Sequence, residues 1–249
     1  MFSPAHFSQL LQTVTVDSKD DGHQFLVTDR IEAIRQLLQP TDYQLLQAGK
    51  LFLLYGKQPV AGQDIVLISS HIDCVYSRCF CAEAGACYQG TVDNSLTNAA
   101  VIFTMMNGLF ADNVVVAFTG DEEKNSAGCH ELIEYLFNQE GCEVRFALVT
   151  DVSNEGWDEE VPFSVENDLG IDLFTAHDLV AWLDPYLYKF VHYAEPDESW
   201  DYHCVHIPTM TLCIPVQGDL HHDDGVLARK SSVPVYCQVL AELSNRLAE

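Results

Sequence analysis

Residues 113–123, NVVVAFTGDEE, narrow what this chain can fold into more than any other stretch. The first half is β-branched and aromatic, the composition of a strand buried in a sheet. The second half sets three carboxylates in a row, Asp121, Glu122 and Glu123, at that strand's C-terminal end. Taken alone, such acids fit a solvated turn equally well. In open α/β sheets, however, ligands bind outside the carboxyl ends of the strands, and other stretches of the chain repeat the pattern.

Residues 64–69 (DIVLIS) read as a strand that runs straight into Ser70, His71, Ile72 and Asp73. On an extended backbone His71 and Asp73 share a face, which suits a metal-binding imidazole held by a carboxylate at its other nitrogen. Residues 144–149 (VRFALV) read as another buried strand and finish in Thr150 and Asp151. Asp93, within GTVDNS at 90–95, falls near the start of a helix over 96–109. It fits an N-cap and fits equally a carboxylate bridging two metals. A strand over 206–215 leads through a short loop to the pair His221 and His222.

Between these strands lie amphipathic helices, at 5–14, 23–38, 129–137, 174–188 and 231–247. Pro40 ends the second, and a further strand covers 51–55. The alternation predicts an α/β fold: a three-layer sandwich, a mixed sheet with parallel central strands and helices on both faces. At 249 residues the chain is read as a single domain spanning 1–249, with no repeat or linker.

Charge sets the choice of partners. Thirty-seven acids against 12 Lys and Arg give a formal net charge of −25, a field that repels phosphate backbones and anionic lipid. Nucleic acid and membrane partners are therefore not expected, and no apolar run reaches the length of a membrane span. The first 21 residues lack the features of a signal peptide. The nine cysteines, an odd number, read as reduced thiols, so a cytoplasmic location is expected. Cys79, Cys81 and Cys87 crowd into one stretch, but without the paired C-x2-C of a structural zinc site.

The groups gathered at strand ends are thus His71, Asp73, Asp93, Glu122, Glu123, Asp151 and His221 or His222. Imidazoles and carboxylates without thiolate are a catalytic type of zinc donor set. Two such metals about 3.5–4 Å apart can activate a water and polarise a carbonyl. A carboxylate beside them, not itself bound, can move the water's proton to the leaving amine.

The motifs SSHID, GTVDN, GDEEKNSAG, VTD, IPT and the late histidine, in that order, resemble the co-catalytic zinc exopeptidase superfamily. That group includes di-zinc aminopeptidases, aminoacylases and acetylornithine-deacetylase-like enzymes. The resemblance runs from about residue 64 to the C-terminus. It implies two divalent cations, Zn²⁺ foremost with Co²⁺ or Mn²⁺ as alternatives. His71 and Asp151 would hold one, Glu123 and the late histidine the other, and Asp93 would bridge them. Asp73 would hold His71, and Glu122 would be the general base. Only residues 152–220 separate Asp151 from the late histidine, too few for the dimerisation domain many relatives carry, so a minimal single-domain member is implied. The family pattern favours His221 over His222, because it then sets Leu227 as the apolar residue packing back near the site.

Three functions are consistent with this reading. The first is an aminopeptidase acting on small peptides; the second is a deacylase of N-acyl amino acids. The third is a non-catalytic metal-binding or scaffold protein, which would have no need of an unbound base at Glu122. Glu155, Glu198 and Asp201 are candidates to recognise a substrate amine, whereas no Arg stands out as a carboxylate clamp. Oligomeric state is left open.

Overall fold

The computed structural model describes residues 2–18 and 28–249. The chain begins with α1 (Pro4–Val14) and α2 (Asp29–Leu38), then β1 (Gln44–Ala48), β2 (Phe52–Gly56) and β3 (Asp64–His71). A hairpin of β4 (Cys81–Ala84) and β5 (Cys87–Gly90) precedes α3 (Ser95–Met106), β6 (Val114–Thr119), α4 (Ala127–Phe137) and β7 (Glu143–Ser153). The last third holds β8 (Ser164–Glu166), α5 (Leu173–Leu183), β9 (Lys189–Val191), α6 (Glu198–Cys204), β10 (Thr209–Gln217), β11 (Val226–Arg229) and α7 (Ser232–Leu247).

The strands join in the order β1-β2-β6-β3-β7-β10-β11-β5-β4, with β8 and β9 branching from β10. The four central strands, β6, β3, β7 and β10, are parallel, and antiparallel strands flank them on both sides. This is the expected mixed sheet, and strand alternation explains its two cores. Val66 and Ile68 of β3, Val114, Val116 and Phe118 of β6, and Phe146 and Leu148 of β7 join one apolar cluster. The residues between them, Ile65, Leu67, Val115, Ala117, Ala147 and Val149, join the other. The first cluster is covered by α1, α2, α3, α5 and α7, and the second by α4, whose Cys129, Leu132, Ile133 and Leu136 pack there, together with Tyr202 of α6. Burial on all sides of α3, from Ser95 to Met105, matches its nearly uniform apolarity.

The connections create a switch point. From β3 the chain crosses through α3 to β6 on one side, then through α4 to β7 on the other. The carboxyl ends of β6, β3 and β7 therefore open a crevice between oppositely directed crossovers, where ligands of such sheets are found.

Several expectations need adjustment. The second helix is seen over 29–38; its expected beginning at 23–27 lies outside the described residues. Residues 81–90, in the stretch where the cysteines crowd, form a hairpin turning at Gly85 with φ +60°. Cys81 and Cys87 thus oppose Gly90 and Ala84 across the ladder, while Cys79 lies against Cys74. The expected helix over 174–188 is α5, ending at Leu183, with Leu179 and Leu183 inward and Trp182 half-buried. β1, β8, β9, β11 and α6 are 3 to 7 residues long, too short for hydrophobic periodicity to declare itself. No described helix is long and apolar enough to cross a membrane.

Candidate metal centre

β3 delivers His71 at its last position, where the side chain is 3 % exposed. Two buried asparagines on α3's first turns hold that strand end in place. Asn98 Nδ2 donates to Ser70 Oγ at 2.7 Å and to the His71 carbonyl at 2.9 Å, and Asn94 Nδ2 donates to the Thr150 carbonyl at 2.7 Å. Asn94, not Asp93, occupies the N-cap position, so the Asp93 carboxylate is left to the crevice.

The three consecutive acids after β6 separate by role. Asp121 sits at φ +65°, its carbonyl accepts the Ser126 amide at 2.8 Å, and its carboxylate pairs with Lys124 at 3.2 Å. It builds the turn. Glu122 and Glu123 then enter the crevice, and their backbone amides each donate to Asp73 at 3.2 Å. The Asp73 carboxylate also faces His71 Nδ1, at 3.6 Å, longer than a hydrogen bond. One buried carboxylate therefore ties the β3 end to the β6 end.

Asp93 stands between two imidazoles. Its Oδ1 is 3.4 Å from His71 Nε2, which is also 3.4 Å from Asp151 Oδ1. Its Oδ2 is 3.9 Å from His221 Nε2, which is 3.5 Å from Glu123 Oε2. Two atoms each about 2.0–2.1 Å from a tetrahedral ion lie about 3.3 Å apart, so these spacings suit shared cations. The donor chemistry points the same way. Asp93 Oδ1 and Glu123 Oε1 are buried with no hydrogen-bond partner among the described residues, a state that costs free energy unless an ion takes them up. His71, Asp93 and Glu123 offer atoms within 4.8 Å of one another. These residues fit divalent metals.

Electrostatics in the bare site agree. Burial, together with the charges of Asp151, Glu198 and Glu123, pushes the Glu122 carboxyl up to about 9 against the pull of His71. Burial and then the Asp93 charge push Glu123 up to about 8. Burial likewise lifts Asp151 to about 6, although His71 opposes it. At His71, burial disfavours the imidazolium, but Asp151 and Glu122 outweigh it and hold the pKa well above the usual histidine range. So many clustered acids cannot all ionise without added positive charge.

His221 comes from the loop after β10, seated by two contacts that sequence reasoning missed. The Tyr76 hydroxyl donates to the Leu220 carbonyl, and the Ser77 amide donates to Asp223 Oδ1 at 2.7 Å. His222 turns away from the crevice and pairs with Asp224 at 3.3 Å on the exposed side. The cleft beside the centre holds about 520 Å³ and continues along Glu155, Glu166, Glu195 and Asp197, with Lys124 the one Lys or Arg among the described residues on its wall. Of the amine-recognition candidates, only Glu155 lines it, and it also pairs with Lys189 at 2.6 Å. Glu198 is buried behind the centre, accepting from Ser69 Oγ at 2.7 Å. Asp201 pairs with His130 at 2.8 Å in another hollow. Both lie on α6, a seven-residue helix too short to show in hydrophobic periodicity. The buried pair Asn94 and Asn98, four apart on one helix face, was the available sign of a supporting network.

No protein-family model and no curated protein sequence matches the chain. Solved structures do. A TET aminopeptidase from the marine sediment archaeon Thaumarchaeota archaeon SCGC AB-539-E09 superposes with a TM-score of 0.75 at 10 % identity, covering 98 % of this chain and 97 % of that one. An aminopeptidase from the archaeon Desulfurococcus kamchatkensis gives 0.74 at 9 % identity over 97 % and 95 %. The LapA aminopeptidase of Legionella pneumophila gives 0.65 at 14 % identity, covering 99 % of this chain and 71 % of that one. At such identities the likeness establishes a common fold, that of solved aminopeptidases.

Proposed function

We propose that this chain is a metal-dependent hydrolase that cleaves an amide bond, acting as an aminopeptidase on small peptides. The observation that carries the reading is Asp93, one oxygen facing the His71–Asp151 half and the other facing the His221–Glu123 half. In this proposal His71 and Asp151 would hold one divalent cation and His221 and Glu123 the other, with Asp93 available to both. Zn²⁺ is the first choice, with Co²⁺ or Mn²⁺ as substitutes. When bound, the cations supply Lewis acidity for the scissile carbonyl and make a water more acidic.

The protein's own groups supply the rest. Glu122 lies in the cleft with its backbone amide anchored to Asp73. Its carboxylate takes a proton from the attacking water and passes it to the departing amine, so one water is consumed and one carboxylate and one amine are released. Asp73 positions the pair Glu122–Glu123 and faces His71 across the same junction. The acids on the cleft wall attract a free α-amino group, which favours a peptide N-terminus over an N-acylated substrate. The nine free cysteines suit a reducing, cytoplasmic setting. The test is a hydrolysis screen of aminoacyl-anilides, dipeptides and N-acetyl amino acids with added Zn²⁺, Co²⁺ or Mn²⁺. Metal-dependent release from the first two classes is expected. Turnover of N-acetyl amino acids alone would move the assignment to a deacylase, and no turnover by the metal-loaded protein would favour a scaffold.

A further inference from the structure

Cys74 and Cys79 are unlike the other seven cysteines. Their sulfurs are 3.9 Å apart in the loop between β3 and β4, both are free, and Cys74 follows Asp73 directly. Cys74 is 6 % exposed, while Cys79 is half-buried and faces the surface. Beside them stands Arg30, fully buried on α2, whose Nη1 donates to the Ile72 carbonyl at 2.9 Å and whose Nε has no partner. A thiolate at Cys74 sits beside this buried guanidinium and is favoured by its charge. Consistent with that, the hydrogen bond from Cys79 and then the Arg30 charge, against the effect of burial, bring Cys74 down to about 5.

We propose that Cys74 and Cys79 form a reversible thiol–disulfide site that responds to hydrogen peroxide and governs the seating of His221. The Cys74 thiolate attacks one peroxide oxygen and becomes a sulfenic acid as hydroxide leaves. The Cys79 sulfur then attacks the Cys74 sulfur, forming the disulfide and expelling the second oxygen as water. Two thiols lose two electrons, and one peroxide becomes two waters. Closure brings the sulfurs from 3.9 Å to about 2.05 Å, a shift that Cys79, outside any helix or strand, accommodates by turning.

The ring so closed contains Tyr76 and Ser77, the residues that hold the His221 loop at Leu220 and Asp223. Oxidation therefore strains the support of one half of the metal centre; this consequence rests on the proposed function, whereas the thiol chemistry does not. Asp17 also approaches the two sulfurs, giving a trio that could take a metal. The nearby Arg30 charge opposes a cation there, which favours the redox reading.

The test is to treat the reduced, zinc-loaded protein with hydrogen peroxide, alkylate the remaining thiols, cleave after Arg78 with trypsin and map the products by mass spectrometry. The expected result is a Cys74 peptide joined to a Cys79 peptide before other thiols are lost, reversed by dithiothreitol, with zinc at His221 bound about ten-fold more weakly while the bond is present. Cys79→Ser should trap a sulfenic acid on Cys74, detected with dimedone. The proposal is overturned if both thiols stay open to alkylation while other cysteines oxidise, or if zinc in His221→Ala protein shields both from alkylation, which would reveal a metal site instead. A disulfide that forms in a protein binding no zinc at His71, Glu123 or His221 would leave the redox site standing and remove the metallopeptidase reading.

Discussion

Glu122 and Glu123 are consecutive, yet the backbone turn built by Asp121 gives them separate tasks. Glu123 meets His221 and Asp93, whereas Glu122 borders the open cleft. Glu122→Gln is isosteric and keeps the amide contact to Asp73, so metal content should stay at the wild-type level while kcat falls about 10²–10⁴-fold. Turnover and metal analysis of one preparation check both halves. The two histidines separate as sharply: His221→Ala should lose one metal of the pair and most activity, but His222→Ala should keep both, since its ring pairs with exposed Asp224. Protonation gives a third expectation. In the metal-free protein Glu122 and Glu123 hold protons up to about 9 and about 8, whereas the unfolded chain releases them near the ordinary glutamate value of about 4.3. The folded state then binds more protons than the unfolded state across pH 5 to 9, so stability falls as pH rises. The raised His71 acts in the same direction, because its imidazolium is lost as pH rises through the folded pKa. Calorimetry with chelator should show a melting temperature that drops from pH 6 to pH 9, and zinc should flatten that slope; equal slopes with and without zinc would contradict the site's charge balance.

Among the elements, the segment from β6 into α4 depends on Gly128. A Cβ there would lie 2.4 Å from the Leu51 carbonyl oxygen and 2.5 Å from that of Gly120, both backbone atoms that cannot swing aside. Gly128→Ala should cost about 1–3 kcal/mol and displace the turn that carries Glu122 and Glu123. Chemical denaturation and a zinc titration would show the two losses together. At this scale the central strands were legible because β3, β6 and β7 are apolar runs ending in potential ligands, α4 and α7 because their apolar residues recur at helical spacing, and α3 because its apolar run is too long for a strand. The hairpin β4–β5 and strand β11 were not, since four residues of a partly exposed strand carry too little pattern. The same limit hid Tyr76, Ser77 and Asp223, whose contacts join stretches about 146 positions apart. Glu198 and Asp201 were misread for a related reason: an acid's sequence neighbours do not reveal whether a short helix such as α6 turns it inward.

At the scale of the whole molecule, the centre exists only when the sheet is complete, because its groups come from β3, the loop before α3, the turn after β6, the end of β7 and the loop after β10. A formal charge of −25 is borne at some cost in self-repulsion, and cations held as proposed by the acids at the sheet's carboxyl edge would offset part of it. The central claim is a pair of metals bridged by Asp93. Diffraction from zinc-loaded crystals on either side of the zinc absorption edge tests it most directly. Two anomalous peaks are predicted, one within coordination distance of His71 and Asp151, the other of Glu123 and His221, with Asp93 touching both. A single peak, or peaks only at the Cys74–Cys79 pair, would contradict it.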